Sequence, residues 1–121
     1  VFLNTRFEGR SFLEVVGLVT FKGCTFVGIQ IGGVPSSSSK TVVNLVDCTI
    51  TNSSRWGIVA NIGARCCLIR TTITNCVLGS VQICDLEGFT EVDCKLEPAP
   101  HVNLAMVHWA LRRQALLSRR I

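Results

Sequence analysis

Apolar and polar residues alternate in short runs along most of this chain, and the runs recur. Leu45-Val-Asp-Cys-Thr-Ile-Thr-Asn52 falls on Leu68-Ile-Arg-Thr-Thr-Ile-Thr-Asn75 after a step of 23, and Glu91-Val-Asp-Cys-Lys-Leu-Glu-Pro98 follows after the same step. One step of 24 backward gives Phe21-Lys-Gly-Cys-Thr-Phe-Val-Gly28. Self-similarity at a fixed period, with alternation inside each unit, is the pattern of strands stacked one coil upon the next. It predicts an all-β fold, a right-handed parallel β-helix (solenoid) with coils of about 23 residues over 1–98. A C-terminal extension follows over 99–121.

Strand parity then assigns faces, because successive side chains point to opposite sides. Val46, Cys48 and Ile50 are expected inside, with Asp47 and Thr49 outside. The same parity places Ile69, Thr71, Ile73 and Val92, Cys94, Leu96 inside. Phe7, from a first coil shortened by several residues, stacks under Phe26, Ile50, Ile73 and Leu96. Cys24, Cys48, Thr71 and Cys94 form one inner row, where a thiol serves as a small apolar filler. Each period leaves room for two more strands. The second is expected at 28–31, 56–60 and 79–83, the third at 15–20, 41–45, 65–69 and 86–92. Glycines are expected at the corners, where positive φ is needed. Asn52 and Asn75 are expected as a stacked side-chain ladder, and 32–40, with its serine run, as an exposed corner loop.

The repeat stops after Pro98. Residues 101–111 are apolar on nearly every side, and periodicity alone fits strand or helix. Alternation puts Val102, Leu104 and Met106 on one face and Val107, Trp109 and Leu111 on the other, whereas a helix groups Leu104, Val107 and Leu111. In either case the segment needs cover on two sides, and a neighbouring subunit is the economical cover. Trp109, Leu104, Met106, Val107 and Leu111, together with Trp56, are therefore the candidate interface residues.

Composition refines this picture. With 121 residues and 48% apolar content, the chain is one domain with a packed core. No apolar run approaches a membrane span. There is neither an initiator Met nor a signal peptide, and no polar cap is evident at the Val1 end. The expectation is a C-terminal fragment, or a piece whose open end another chain covers. The net charge is +4, with Arg112, Arg113, Arg119 and Arg120 gathered near the C-terminus. That tail reads as a solvated end ahead of an acidic partner or nucleic acid. Seven cysteines show no C-x-x-C pair and no paired His at zinc-like spacing. They are expected as reduced core residues from a reducing compartment, with no metal and no cofactor.

Catalytic constellations are sparse. The best outward stack is Asp47, Arg70, Asp93, one per coil. An Arg between two Asp residues is expected to pair with both and hold their acidity low, which spoils them as proton donors in sugar hydrolysis. His101 and His108 lie near no carboxylate cluster or nucleophile. Cys66-Cys67, beside Arg65, is the one candidate reactive thiol, and in a strand one of the two is core and the other surface. The aromatics fall mostly in core register, which disfavours nucleic acid. The chain reads as a non-enzyme.

Two stretches carry a family resemblance. Arg55-Trp-Gly-Ile-Val-Ala60, continuing through Ala64-Arg-Cys-Cys-Leu-Ile-Arg70 to Ile73-Thr-Asn-Cys-Val-Leu-Gly-Ser80, is one. Leu96-Glu-Pro98 with Val102-Asn-Leu104 and Met106-Val-His-Trp109 is the other. Both resemble the C-terminal region of the adenoviral early-region large T antigen and its relative, the hexon-interlacing capsid protein of atadenoviruses. Asn4-Thr-Arg-Phe-Glu-Gly9 resembles the start of the same region. The resemblance implies a β-helix that forms a homotrimer, with a strand over 101–111. In the capsid branch it implies trimers that stand between hexons of the virion, assembled in the host nucleus, with hexon and other capsid proteins as partners and no membrane. The compact coils and basic end are closer to the capsid branch than to the regulatory one, which joins ubiquitin-ligase assemblies and binds a tumour suppressor. A carbohydrate-active β-helix is the remaining alternative.

Overall fold

In the computed structural model, residues 1–33, 40–84 and 88–97 are described. They form a parallel β-solenoid of about four turns with a spacing of about 23 residues. The strands are β1 (Phe2–Leu3), β2 (Arg6–Val15), β3 (Leu18–Lys22), β4 (Thr25–Gly33), β5 (Thr41–Val46), β6 (Thr49–Thr51), β7 (Trp56–Ala60), β8 (Ala64–Ile69), β9 (Thr72–Thr74), β10 (Gly79–Ile83), β11 (Phe89–Val92) and β12 (Lys95–Leu96). One sheet runs β1-β3-β5-β8-β11, the other β10-β7-β4-β6-β9-β12 with β2 paired to β4. Every ladder is parallel.

The predicted central column is present. Phe7 pairs with Phe26, Phe26 with Ile50, Ile50 with Ile73 and Ile73 with Leu96. Phe26, Ile50 and Ile73 are fully buried, each worth about 2–3 kcal/mol of transfer free energy. At the N-terminal end the column is aromatic. Phe7 and Phe26 stack with centroids 4.9 Å apart and planes 4° apart, and Phe21 meets Phe26 edge-on at 5.1 Å.

The expected parity is corrected one residue before each corner. Val46 and Ile69 are half-buried and Val92 is 48% exposed, whereas Leu45, Leu68 and Glu91 are buried. Glu91 thus occupies the inward position of two leucines. The cause lies in the next residues: Asp47, Arg70 and Asp93 have φ of 53°, 45° and 51°. A left-handed residue turns the chain, so alternation does not run through it. Asn4 and Gly23 share this corner. Along it the N–H of each residue donates to the coil above: Asn4 to Lys22, Gly23 to Val46, Asp47 to Ile69 and Arg70 to Val92, all at 2.9 Å.

Glycines mark only some of the corners. The second corner column is Gly9, Gly28, Asn52 and Asn75, all with positive φ. At Asn52 and Asn75 the polar rung that joins the coils is not the Asn pair but the hydroxyls one residue earlier, Thr74 Oγ1 to Thr51 Oγ1 at 3.2 Å. Gly57 lies inside β7 instead of at a corner. A Cβ there would stand 2.6 Å from Ile73 Cγ2 and 2.8 Å from the Ser80 carbonyl oxygen, so the glycine is required by space.

The three-strand coil also needs amendment. Coils with β6 and β7, or β9 and β10, separate two strands by residues 52–55 or 75–78. In β4 the turn uses Gly28 alone, so one strand pairs with β6 over its first part and β7 over its second. The expected third strand 15–20 is split at Gly17, between β2 and β3. The expected loop at 32–40 begins later, since Gly32 and Gly33 belong to β4 and Gly33 is buried. Its residues 34–39, and the extension 99–121, lie outside the described residues.

Candidate interaction surfaces

The outward corner of Asp47, Arg70 and Asp93 was the strongest sequence candidate for chemistry. Arg70 Nε donates to Asp47 Oδ1 at 2.6 Å and Nη2 to Oδ2 at 3.2 Å, a two-pronged pair on the surface. The hydrogen bond from Arg70 holds the Asp47 carboxyl below its ordinary range and raises the guanidinium in turn. Asp93 acts on Arg70 through its charge, not through contact, so the expectation that Arg70 pairs with both acids is corrected. An ionised, acceptor-only Asp47 cannot serve as a general acid. Exposed pairs of this kind contribute little to stability.

The inner row has a second role beyond filling space. Cys48 Sγ donates to the Phe21 carbonyl of the coil below at 3.3 Å, and Thr71 Oγ1 to that of Leu45 at 3.1 Å. Cys24 Sγ lies 3.5 Å from the Phe2 carbonyl. Cys24, Cys48 and Thr71 are buried, and Cys94 in the last described coil is half-buried. None of the seven cysteines forms a disulfide.

Cys66 and Cys67 face opposite ways, as a strand requires. Cys66 is buried and its thiol is pushed up to about 12 by burial, with Cys67 and Cys94 adding to the shift. A thiol held neutral is a poor nucleophile. Cys67 is half-buried on the outer face of β8. Burial also raises Cys48 and Cys76. Among the described residues, no group of three or more His, Cys, Asp or Glu is placed to hold a metal ion.

Trp56 opens β7 after a turn tied by Ser53, whose Oγ donates to the Trp56 carbonyl at 2.7 Å. The Trp56 N–H donates to Gln30 Oε1 of the coil below at 3.0 Å. Its ring lies over Gly79 of the coil above, close enough that a Cβ on Gly79 would fall 2.8 Å from Cζ3. Trp56 is therefore half-buried within its own chain. The other interface candidates, Trp109, Leu104, Met106, Val107 and Leu111, lie outside the described residues, as do His101 and His108.

One surface was not anticipated residue by residue. Beside β1 and β2, Phe2, Phe7, Leu13, Val15, Val19 and Phe21, with Glu14, line a groove of about 240 Å³. Phe2 is 45% exposed. No protein-family model, curated protein or solved structure matches this chain.

Proposed function

We propose that this chain is part of a structural viral capsid protein, a homotrimeric β-helical knob that cements neighbouring hexons on the virion surface. The observation that carries the reading is the solenoid itself. Parallel coils satisfy one another's backbone groups and stack a continuous apolar column, which makes a stiff element suited to bearing load. The resemblance of the Trp56-Gly-Ile-Val59 strand and the Leu96-Glu-Pro98 exit to the hexon-interlacing family supports the viral assignment.

The chemistry of the outer surface is consistent with this role. In its best carboxylate stack, Asp47 is held in a two-pronged pair by Arg70. The test is the native mass of the purified protein together with its presence in purified virions. A mass of three times the 13.2 kDa chain and a stoichiometric virion band are expected. Recovery only with host ubiquitin-ligase components, and none in virions, would replace cement by the regulatory adaptor.

A further inference from the structure

The two sheets of the solenoid present different outer faces to solvent. In β6 and β9 the sequence is Thr-Ile-Thr, with the isoleucine buried and hydroxyls outside. That is the alternation of a sheet wetted on one side. In β5 and β8 the sequences are Thr-Val-Val-Asn-Leu-Val and Ala-Arg-Cys-Cys-Leu-Ile, whose outer side carries Val42, Val46, Cys67 and Ile69 beside the polar Asn44 and Arg65. Near-continuous apolar runs belong to parallel strands covered on both faces. The core covers only one face of β5 and β8. On the other, Val46, Ile69 and Val92 stack in one column that Lys22 of β3 ends, and Val42 and Cys67 lie beside them with Asn44, which donates to Thr20 Oγ1 at 3.3 Å.

Charge at the margins indicates what covers this face. The strands run from an edge bearing the exposed Arg65 to the corner bearing Asp47, Arg70 and Asp93. When copies of the chain surround an axis parallel to the column, each sheet runs around that axis. The end corner of one copy then abuts the starting edge of the next. Arg65 comes level with the next copy's Arg70, and the carboxylates of Asp93 and Asp47 lie one coil, about 4.8 Å, above and below it. An arginine reaches that far. The face spans about 400 Å² in projection, from strand spacing and rise. That is roughly half of what one partner contributes to a standard interface, and the corner and edge supply the rest.

We propose that the outward face of β3, β5, β8 and β11 is the surface through which copies of this chain associate. Val46, Ile69 and Val92 lie toward the axis, and Arg65 of one copy meets the Asp93 corner of the next. This inference rests on the oligomeric reading above, and the experiment separates the two.

The full chain, Ile69→Lys and, as a control on the hydroxyl face, Thr49→Lys are compared by native mass spectrometry and sedimentation, with circular dichroism as the check on folding. The wild type and Thr49→Lys are expected to assemble, and Ile69→Lys to sediment as a folded monomer. Arg65→Asp and Asp93→Arg are each expected to weaken assembly at least tenfold, and the double variant to recover most of it. Arg70 already shows that an arginine is accepted at this corner φ.

An assembled Ile69→Lys, or dissociation by Thr49→Lys instead, overturns this face but leaves the oligomer standing. A monomeric wild type removes the oligomer itself. Should Ile69→Lys fail to fold, maleimide labelling of wild-type Cys67 decides. At least tenfold slower labelling in concentrated than in dilute protein is expected, with exposed Cys84 as the internal reference. Equal rates overturn the proposal.

Discussion

Thr71 Oγ1 lies 3.1 Å from the carbonyl oxygen of Leu45, one coil below, and 3.1 Å from that of Ile69 in its own coil. Cys48 repeats the geometry against Phe21 and Val46 at 3.3 Å each. A small donor behind each left-handed corner thus reaches carbonyls at the ends of two neighbouring strands. Because Thr71 is fully buried, Thr71→Val keeps the shape and removes the donor to the Leu45 carbonyl, while the Ile69 carbonyl keeps the Asp47 N–H. A loss of about 1–3 kcal/mol is expected. Thr71→Cys, which copies its neighbours in the row, should cost less than about 1 kcal/mol. Urea midpoints at unchanged slope are the measure.

Gly57 tests the spacing of the coils. Its added Cβ would meet Ile73 Cγ2 and the Ser80 carbonyl oxygen, both inside 3 Å. Backbone cannot retreat without disturbing the β7–β10 ladder, in which Ile58 pairs with Val81. Gly57→Ala should therefore destabilise by about 1–3 kcal/mol through overpacking. Gly32→Ala, which meets nothing within 4 Å, should be close to neutral. Thermal melts of the two variants make the comparison.

The strands at 56–60 and 79–83, the inner row and the column from Phe7 to Leu96 were all legible in the sequence. Stacking forces the same side-chain type into the same place each turn, so a repeat displays its own core. Parity through Asp47, Arg70 and Asp93 was not legible. A left-handed φ is expected from Gly or Asn, and an arginine in that conformation gives no local sign of itself. The fusion of two strands in β4 was hidden for a related reason, since Gly28 alone makes a turn that later coils spread over four residues. A repeat also shows what stacks on what, but not how wide a gap opens beside the first coil. The lining of the groove beside Phe2 and Phe7 was therefore not legible, although an uncapped Val1 end was expected. The sequence did contain the cue for the outer face of β5 and β8, namely apolar residues at both parities.

Asp47 offers a direct reading of its pair. The hydrogen bond from Arg70 lowers its pKa below the ordinary 3.8. The pair therefore stabilises the fold at pH above that ordinary value, and the contribution is lost as pH falls through the lower folded value. Both side chains are largely exposed, so the effect on stability is small and is better followed at the carboxyl itself. In a carboxyl-resolved NMR titration, Asp47 should titrate below the ordinary range. Arg70→Gln should return it there. An unmoved Asp47 in that variant would show that the hydrogen bond is not the cause.

Alkaline pH acts through Cys66 with the opposite sign. Its thiol ordinarily titrates at 9.0 and in the fold is pushed up to about 12. Below pH 9 both folded and unfolded chains hold the proton, and stability is flat. Above it the unfolded chain releases the proton while the folded chain keeps it, so stability falls as pH rises toward 12. The limiting slope is about 1.4 kcal/mol per pH unit for one such group. Cys48 and Cys76, also raised by burial, steepen the fall. By pH 10.5 the loss from Cys66 alone should be about 2 kcal/mol. Cys66→Ala should start less stable, by about 1 kcal/mol for the lost contacts, yet decline with a shallower slope. Urea unfolding under reductant from pH 8 to 10.5 measures both. Parallel slopes for wild type and variant would mean that Cys66 ionises as readily in the fold as out of it.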